Sequence, residues 1–145
     1  MEIQTKFLGP DSIDVATTLN NIGLVYYGKG EYAKALEQYN KCLEIKNKIL
    51  EPDSIDVSVT LTNIGLVYDK KGEYAKAVEK YNKCLEIKTK ILGPHSTEVL
   101  ELIKRIKFLE SSYWCFKFLS KNFTITEMIY YWRIYVFCFF LQSQT

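Results

Sequence analysis

An all-α superhelix of stacked helix–turn–helix repeats, followed by an irregular C-terminal tail, is the fold class that the sequence predicts. Two observations carry the prediction. The chain matches itself at an offset of 42 residues, and a fixed period of this size marks stacked repeats. Within each period the apolar residues recur at spacings of three and four, which places them on one face of a helix.

The match has no gaps. "GPDSIDVATTLNNIGLVYYGKGEYAKALEQYNKCLEIKNKIL" (9–50) aligns on "EPDSIDVSVTLTNIGLVYDKKGEYAKAVEKYNKCLEIKTKIL" (51–92), and nine of the 42 positions differ. The edges match as well. "MEIQTKFL" (1–8) is a version of "LEIKTKIL" (85–92), and "GPHSTEV" (93–99) is a version of "EPDSIDV" (51–57). The expected organisation is therefore the end of a preceding repeat helix (1–8), two complete units (9–50 and 51–92), a degenerate or truncated third unit (93–112) and a tail (113–145). On this reading the chain is a fragment of a longer array.

Each unit reads as two helices. In the first, Val15, Leu19, Ile22, Gly23 and Tyr26 form one face. Asp11 and Ser12 are good N-caps, and Asp14 stands where the helix dipole favours negative charge. "GKGE" (28–31) breaks the helix with glycine. The second helix carries Tyr32, Ala35, Leu36, Tyr39, Cys42, Leu43, Lys46 and Ile49, with lysines on its other side. It ends at "LGP" or "LEP": Gly9 and Gly93 suit a left-handed C-terminal cap, proline blocks continuation, and Glu51 makes the middle cap weaker. Gly23 and Gly65 let the two helices of a unit approach closely, with Ala35 and Ala77 facing them. One unit cannot bury its own faces, so stacked copies cover one another.

Composition excludes several functions. Net charge is +2, and only Arg105 and Arg133 are arginines; bidentate readers of phosphate and guanine favour arginine, so no nucleic-acid partner is expected. Cys42, Cys84, Cys115 and Cys138 form no CxxC pair and His95 stands alone, so no metal site is expected. Cys42 and Cys84 read as small apolar fillers. No glycine-rich phosphate loop and no Ser/His/Asp arrangement occurs, so no catalytic residue, no cofactor and no enzymatic activity are expected. Free cysteines and an N-terminus without an apolar core point to the cytoplasm.

The order Leu19-x-x-Ile22-Gly23-x-x-Tyr26 then Ala35-x-x-x-Tyr39, repeated as Leu61-x-x-Ile64-Gly65-x-x-Tyr68 then Ala77-x-x-x-Tyr81, resembles the tetratricopeptide (TPR) pattern. With its 42-residue period, "PDSIDV" opening and "LNNIG" helix, the chain resembles the kinesin light chain class over residues 1–107. It departs in having Cys42 and Cys84 for the usual small residue, in its longer linker with Pro10, Pro52 and Pro94, and in Lys107 at the third motif glycine. The resemblance implies a protein–protein adaptor or scaffold whose first helices line a concave groove for an extended peptide or a partner helix.

The differences between copies suggest where that groove lies. Five of the nine fall in the first helix: Ala16/Ser58, Thr17/Val59, Asn20/Thr62, Tyr27/Asp69 and Gly28/Lys70. At about 100° per residue these share one side. The expected groove residues are Thr17, Asn20, Asn21, Leu24, Tyr27, Val59, Thr62, Asn63, Leu66, Asp69 and Lys70. Asn21 and Asn63 are the same in both copies; an amide there either contacts a peptide backbone, as the resemblance implies, or bonds a neighbouring helix. The alternative function is a structural spacer that associates end to end and holds no groove ligand.

The tail changes character. Residues 113–140 hold 12 of the 21 aromatics. Three readings stay open: a cap on the stack, a membrane tail at "MIYYWRIYVFCFFL" (128–141), or unselected sequence that does not fold. The membrane reading is the weakest, because 14 helical residues span about 21 Å against a hydrocarbon core of about 30 Å and Arg133 lies within them.

Overall fold

The computed structural model describes residues 12–120 together with Ile129 and Arg133. Contacts divide the chain into Met1–Ser112 and Tyr113–Thr145. Among the described residues 12–120 five helices follow in order: α1 Ile13–Gly28, α2 Tyr32–Ile49, α3 Ile55–Lys70, α4 Tyr74–Leu92 and α5 Thr97–Ser120. No strand occurs among the described residues. The fold is an all-α helical repeat solenoid.

Local chemistry sets the helix ends. Ser12, Ser54 and Ser96 each accept a hydrogen bond from the backbone N–H three residues on, at 3.3 Å, satisfying one orphan donor at each start. At the end of α1, Glu31 N–H donates to Tyr26 O (2.9 Å) and Gly30 N–H to Tyr27 O (3.0 Å). This is a Schellman turn, and Gly30 supplies its left-handed residue with φ 75°. Glu73 and Gly72 repeat the turn after α3. In the third unit Trp114 stands 42 residues after Gly72. A tryptophan resists that conformation, and α5 is helical from Thr97 to Ser120. Gly93 takes a positive φ of 83°, but its ψ of 159° is extended, so the expected left-handed cap becomes a glycine-only extended turn.

Packing explains why the copies stack. Val15, Ala16, Leu19, Cys42 and Ile45 form a core inside the first hairpin. The other two cores cross unit boundaries. Ala35 and Tyr39 of α2 meet Ile64 and Val67 of α3, and Ala77, Tyr81, Cys84 and Ile87 of α4 meet Leu102, Ile106 and Leu109 of α5. Each such aliphatic side chain contributes about 1.5–3 kcal/mol on burial. Lys46 also crosses a boundary. It is buried, and its Nζ donates to Asp56 O (3.0 Å) and Thr60 Oγ1 (3.1 Å).

The glycine contact differs from expectation in one respect. A Cβ on Gly23 would lie 2.6 Å from Cε1 of Tyr39, and one on Gly65 2.7 Å from Cε1 of Tyr81. The tyrosine rings, rather than Ala35 and Ala77, occupy the space that glycine leaves.

Candidate functional site

The first helices α1, α3 and α5 share one register, so residues 42 apart occupy equivalent places. About 100° per residue puts Thr17, Asn20, Asn21, Tyr27 and Gly28 within a fan centred on Leu24. The same holds in α3 around Leu66.

Burial sorts these residues into two groups. Thr17, Asn21, Leu24, Val59 and Lys70 are exposed, and Leu66 is half-buried. Leu24 keeps 45% of its surface in solvent and Val59 44%. Thr17 Oγ1 returns to its own helix, donating to Ile13 O (2.9 Å).

The second group is engaged with neighbouring helices. Asn63 Nδ2 donates to Asn20 Oδ1 across 2.9 Å, joining α3 to α1. Thr62 Oγ1 donates to Ser58 O (2.9 Å) and lies 3.1 Å from Cys84 Sγ. Tyr27 packs on the Ile64–Val67 core and meets Tyr32, ring centroids 6.0 Å apart. Asp69 pairs with Arg105 of α5 at 2.6 Å. Ala16 and Ser58 are wholly buried.

Variation between the copies is thus not confined to an outward face. Tyr27 and Asp69 sit at unit junctions, and Ala16 and Ser58 lie inside their hairpins. Tyr27 packs against the core of Ala35, Tyr39, Ile64 and Val67, whereas Asp69 pairs with cationic Arg105.

Two residues of this face lie in α5 and escaped sequence reasoning. Arg105 is the counterpart of Asn63, and Phe108 of Leu66 and Leu24. Phe108 is 70% exposed. The 42-residue offset alone would have found both.

The electrostatics are local. The Arg105 guanidinium lies 5.7 Å above the Tyr81 ring. The Tyr81 hydroxyl is buried without a hydrogen-bond partner among the described residues. Burial pushes its phenol up to about 12, against the pull of Arg105. Burial likewise raises Tyr39 to about 12 and holds the Cys42 thiol above its ordinary range.

A cleft of about 370 Å³ lies between α2, α3 and α4, with Leu43, Val57, Leu61 and Ile87 among its lining residues. Its carboxylates Asp53 and Glu86 both engage Lys90, at 2.8 and 3.6 Å. Among the described residues no group of three His, Cys, Asp or Glu side chains could hold a metal ion. The first-helix face carries apolar side chains, amides and a few fixed charges.

Comparison with known proteins decides the family. A model of the tetratricopeptide repeat matches residues 1–48 and 14–90. The chain belongs to the tetratricopeptide repeat family. Among solved structures, the TPR chain is similar to the crystal structure of BtubC (BKLC) from P. vanneervenii, with TM-score 0.68 and 20% identity over 77% of this chain. At that identity the likeness shows the fold. The alignment spans 44% of the BtubC chain, less than half its length. No curated protein matches. TPR repeats generally mediate protein–protein interaction.

Among the described residues no helix is long and apolar enough to cross a membrane. The segment 128–141 and the three readings of the tail fall outside the described residues, apart from Ile129 and Arg133, which are helical and exposed. The preceding-helix reading of residues 1–8 also falls outside them.

Proposed function

We propose that this TPR chain is a non-enzymatic, cytoplasmic adaptor that holds an extended peptide or a partner helix along the free face of α1, α3 and α5. One observation carries the reading. Leu24, Leu66 and Phe108 occupy the same repeat position, one per unit, and two of them stand 45% and 70% exposed. A single exposed apolar residue needs no explanation. Two large ones at the same repeat position, Leu24 and Phe108, with the half-buried Leu66 between them, line up as a row of contacts. Val59 adds to the row beside Leu66, and Asn21 offers an amide that both donates and accepts to a ligand backbone. Asn63 contributes less, because its amide already serves Asn20.

Selection of peptides from a displayed library on the full chain tests the reading. Selected peptides are expected to lose about tenfold in affinity for Phe108→Ala and for Leu66→Ala, the loss typical of an interface anchor. A library that yields no binder, or binders indifferent to both substitutions, favours the alternative of a structural spacer without a groove ligand.

A further inference from the structure

We propose that the outer cleft between α2 and α4 docks one side of an amphipathic helix from a partner protein, a helix with acidic residues in its first turn and basic residues in its last. The site is separate from the groove on the first helices. The cleft holds about 370 Å³, within the range of small binding pockets. Its lining runs from Leu43 to Ile87, so all of it belongs to the two complete units. Leu43, Val57, Leu61 and Ile87 supply its aliphatic surface. An extended peptide would lay unpaired N–H and C=O groups against these side chains, which is costly. A helix pairs those groups internally and offers only side chains.

Charge sets the direction of the occupant. Lys80 and Lys83 line one end and share a single carboxylate, Glu79, at 3.1 and 3.5 Å. Asp53 and Glu86 line the other and share a single ammonium, Lys90, at 2.8 and 3.6 Å. One end keeps a surplus cation and the other a surplus anion. Glu51, in the same linker as Asp53, adds an exposed carboxylate without an ion pair among the described residues. Asp56 has the buried Lys46 ammonium against its backbone oxygen. The α2 wall is neutral: Leu43 and Asn47 line it, and Glu44 and Lys48 beside them pair with each other at 3.6 Å. From Lys80 to Lys90 the cleft follows α4 for about 15 Å. A helix lying along it, with acids over Lys80 and Lys83 and bases over Asp53 and Glu86, meets both surpluses. A helix is itself stabilised by acids in its first turn and bases in its last, so the docked helix runs parallel to α4.

Fluorescence anisotropy of two labelled synthetic peptides, titrated with the full chain, tests the proposal. Both are helical, about four turns long, with leucines at i, i+3, i+4 and i+7. One carries two glutamates in its first turn and two lysines in its last; the other has these charges exchanged. The first is expected to bind about tenfold more tightly, or better, at low salt. In the chain, Lys83→Glu together with Glu86→Lys, both on exposed side chains, should reverse that order. Phe108→Ala, on the ligand face of α5, should change neither affinity. Should the charge-exchanged chain lose helicity, Asn47→Phe, which puts a ring into the cleft, must abolish binding in its place. Two peptides of equal affinity, or no binding by either, overturn the proposal. So does an order of preference that survives the charge exchange, or binding that Phe108→Ala abolishes, because either would arise on another surface.

Discussion

The Asn63 side chain donates to the Asn20 carbonyl across 2.9 Å, and that bond ties the first helices of two successive units together. One unit later the equivalent place belongs to Arg105, which reaches back 2.6 Å to Asp69. The same repeat position therefore keys both junctions, once with neutral amides and once with an ion pair. Asn63→Ala should cost about 1 kcal/mol, and Asn20→Ala a similar amount. Adding the second substitution to the first should cost little more, because the bond is already gone. A double-mutant cycle by urea denaturation measures the coupling; strictly additive losses would show that the amides act separately.

The Arg105–Asp69 junction should respond to salt where the amide junction does not. Asp69 is 19% exposed and Arg105 42%, so the pair is partly screened, and its worth is about 0.5–1 kcal/mol. Asp69→Asn should lose that amount at low ionic strength and close to nothing at about 1 M salt, where the Debye length falls to about 3 Å. Melting curves of the two proteins at both ionic strengths read the difference. An equal gap at low and high salt would remove the electrostatic account.

Glycines at two places in the first helices should respond in opposite ways. Gly65→Ala pushes a Cβ to 2.7 Å from the Tyr81 ring, and overpacking of this kind costs about 1–3 kcal/mol. Gly28→Ala sits in open space at the end of α1 and should stabilise by up to about 1 kcal/mol through helix propensity. Thermal melts rank the two. A Gly65→Ala protein as stable as the unsubstituted chain would mean that the helices do not meet where the ring places them.

Tyr81 gives a prediction in the alkaline range. Its folded pKa of about 12 lies above the ordinary 10.0, and Tyr39 behaves alike. A raised pKa favours the neutral phenol in the fold. Stability from each ring is therefore fully present below pH 10 and lost as pH rises towards 12. That rise in pKa is worth roughly 2–3 kcal/mol per tyrosine. Tyr81→Phe removes the unpartnered hydroxyl, so it should be neutral or stabilising at pH 7 and should flatten the alkaline loss. A fall in melting temperature at pH 7 would reveal a partner for that hydroxyl.

Much of this architecture was legible because local and global signals agree. Ser12, Ser54 and Ser96 announce helix starts, the apolar spacing announces faces, and the 42-residue echo announces stacking. The junctions were not legible from one position at a time. Nothing in the residue type says that Asp69 pairs with a cation 36 positions away, or that Tyr27 joins a core centred in α3. Arg105 and Phe108 were hidden because Lys107 replaces the motif glycine between them and disguises the third unit.

The central claim is that ligands lie along Leu24, Leu66 and Phe108. Titrating a library-selected peptide into the full chain, with chemical shifts followed by NMR, tests it most directly. The account predicts the largest shift changes at those three residues and at Val59 and Asn21 on the same face. Largest changes on the second helices instead, at Ile49 or Ile91 for example, would contradict it.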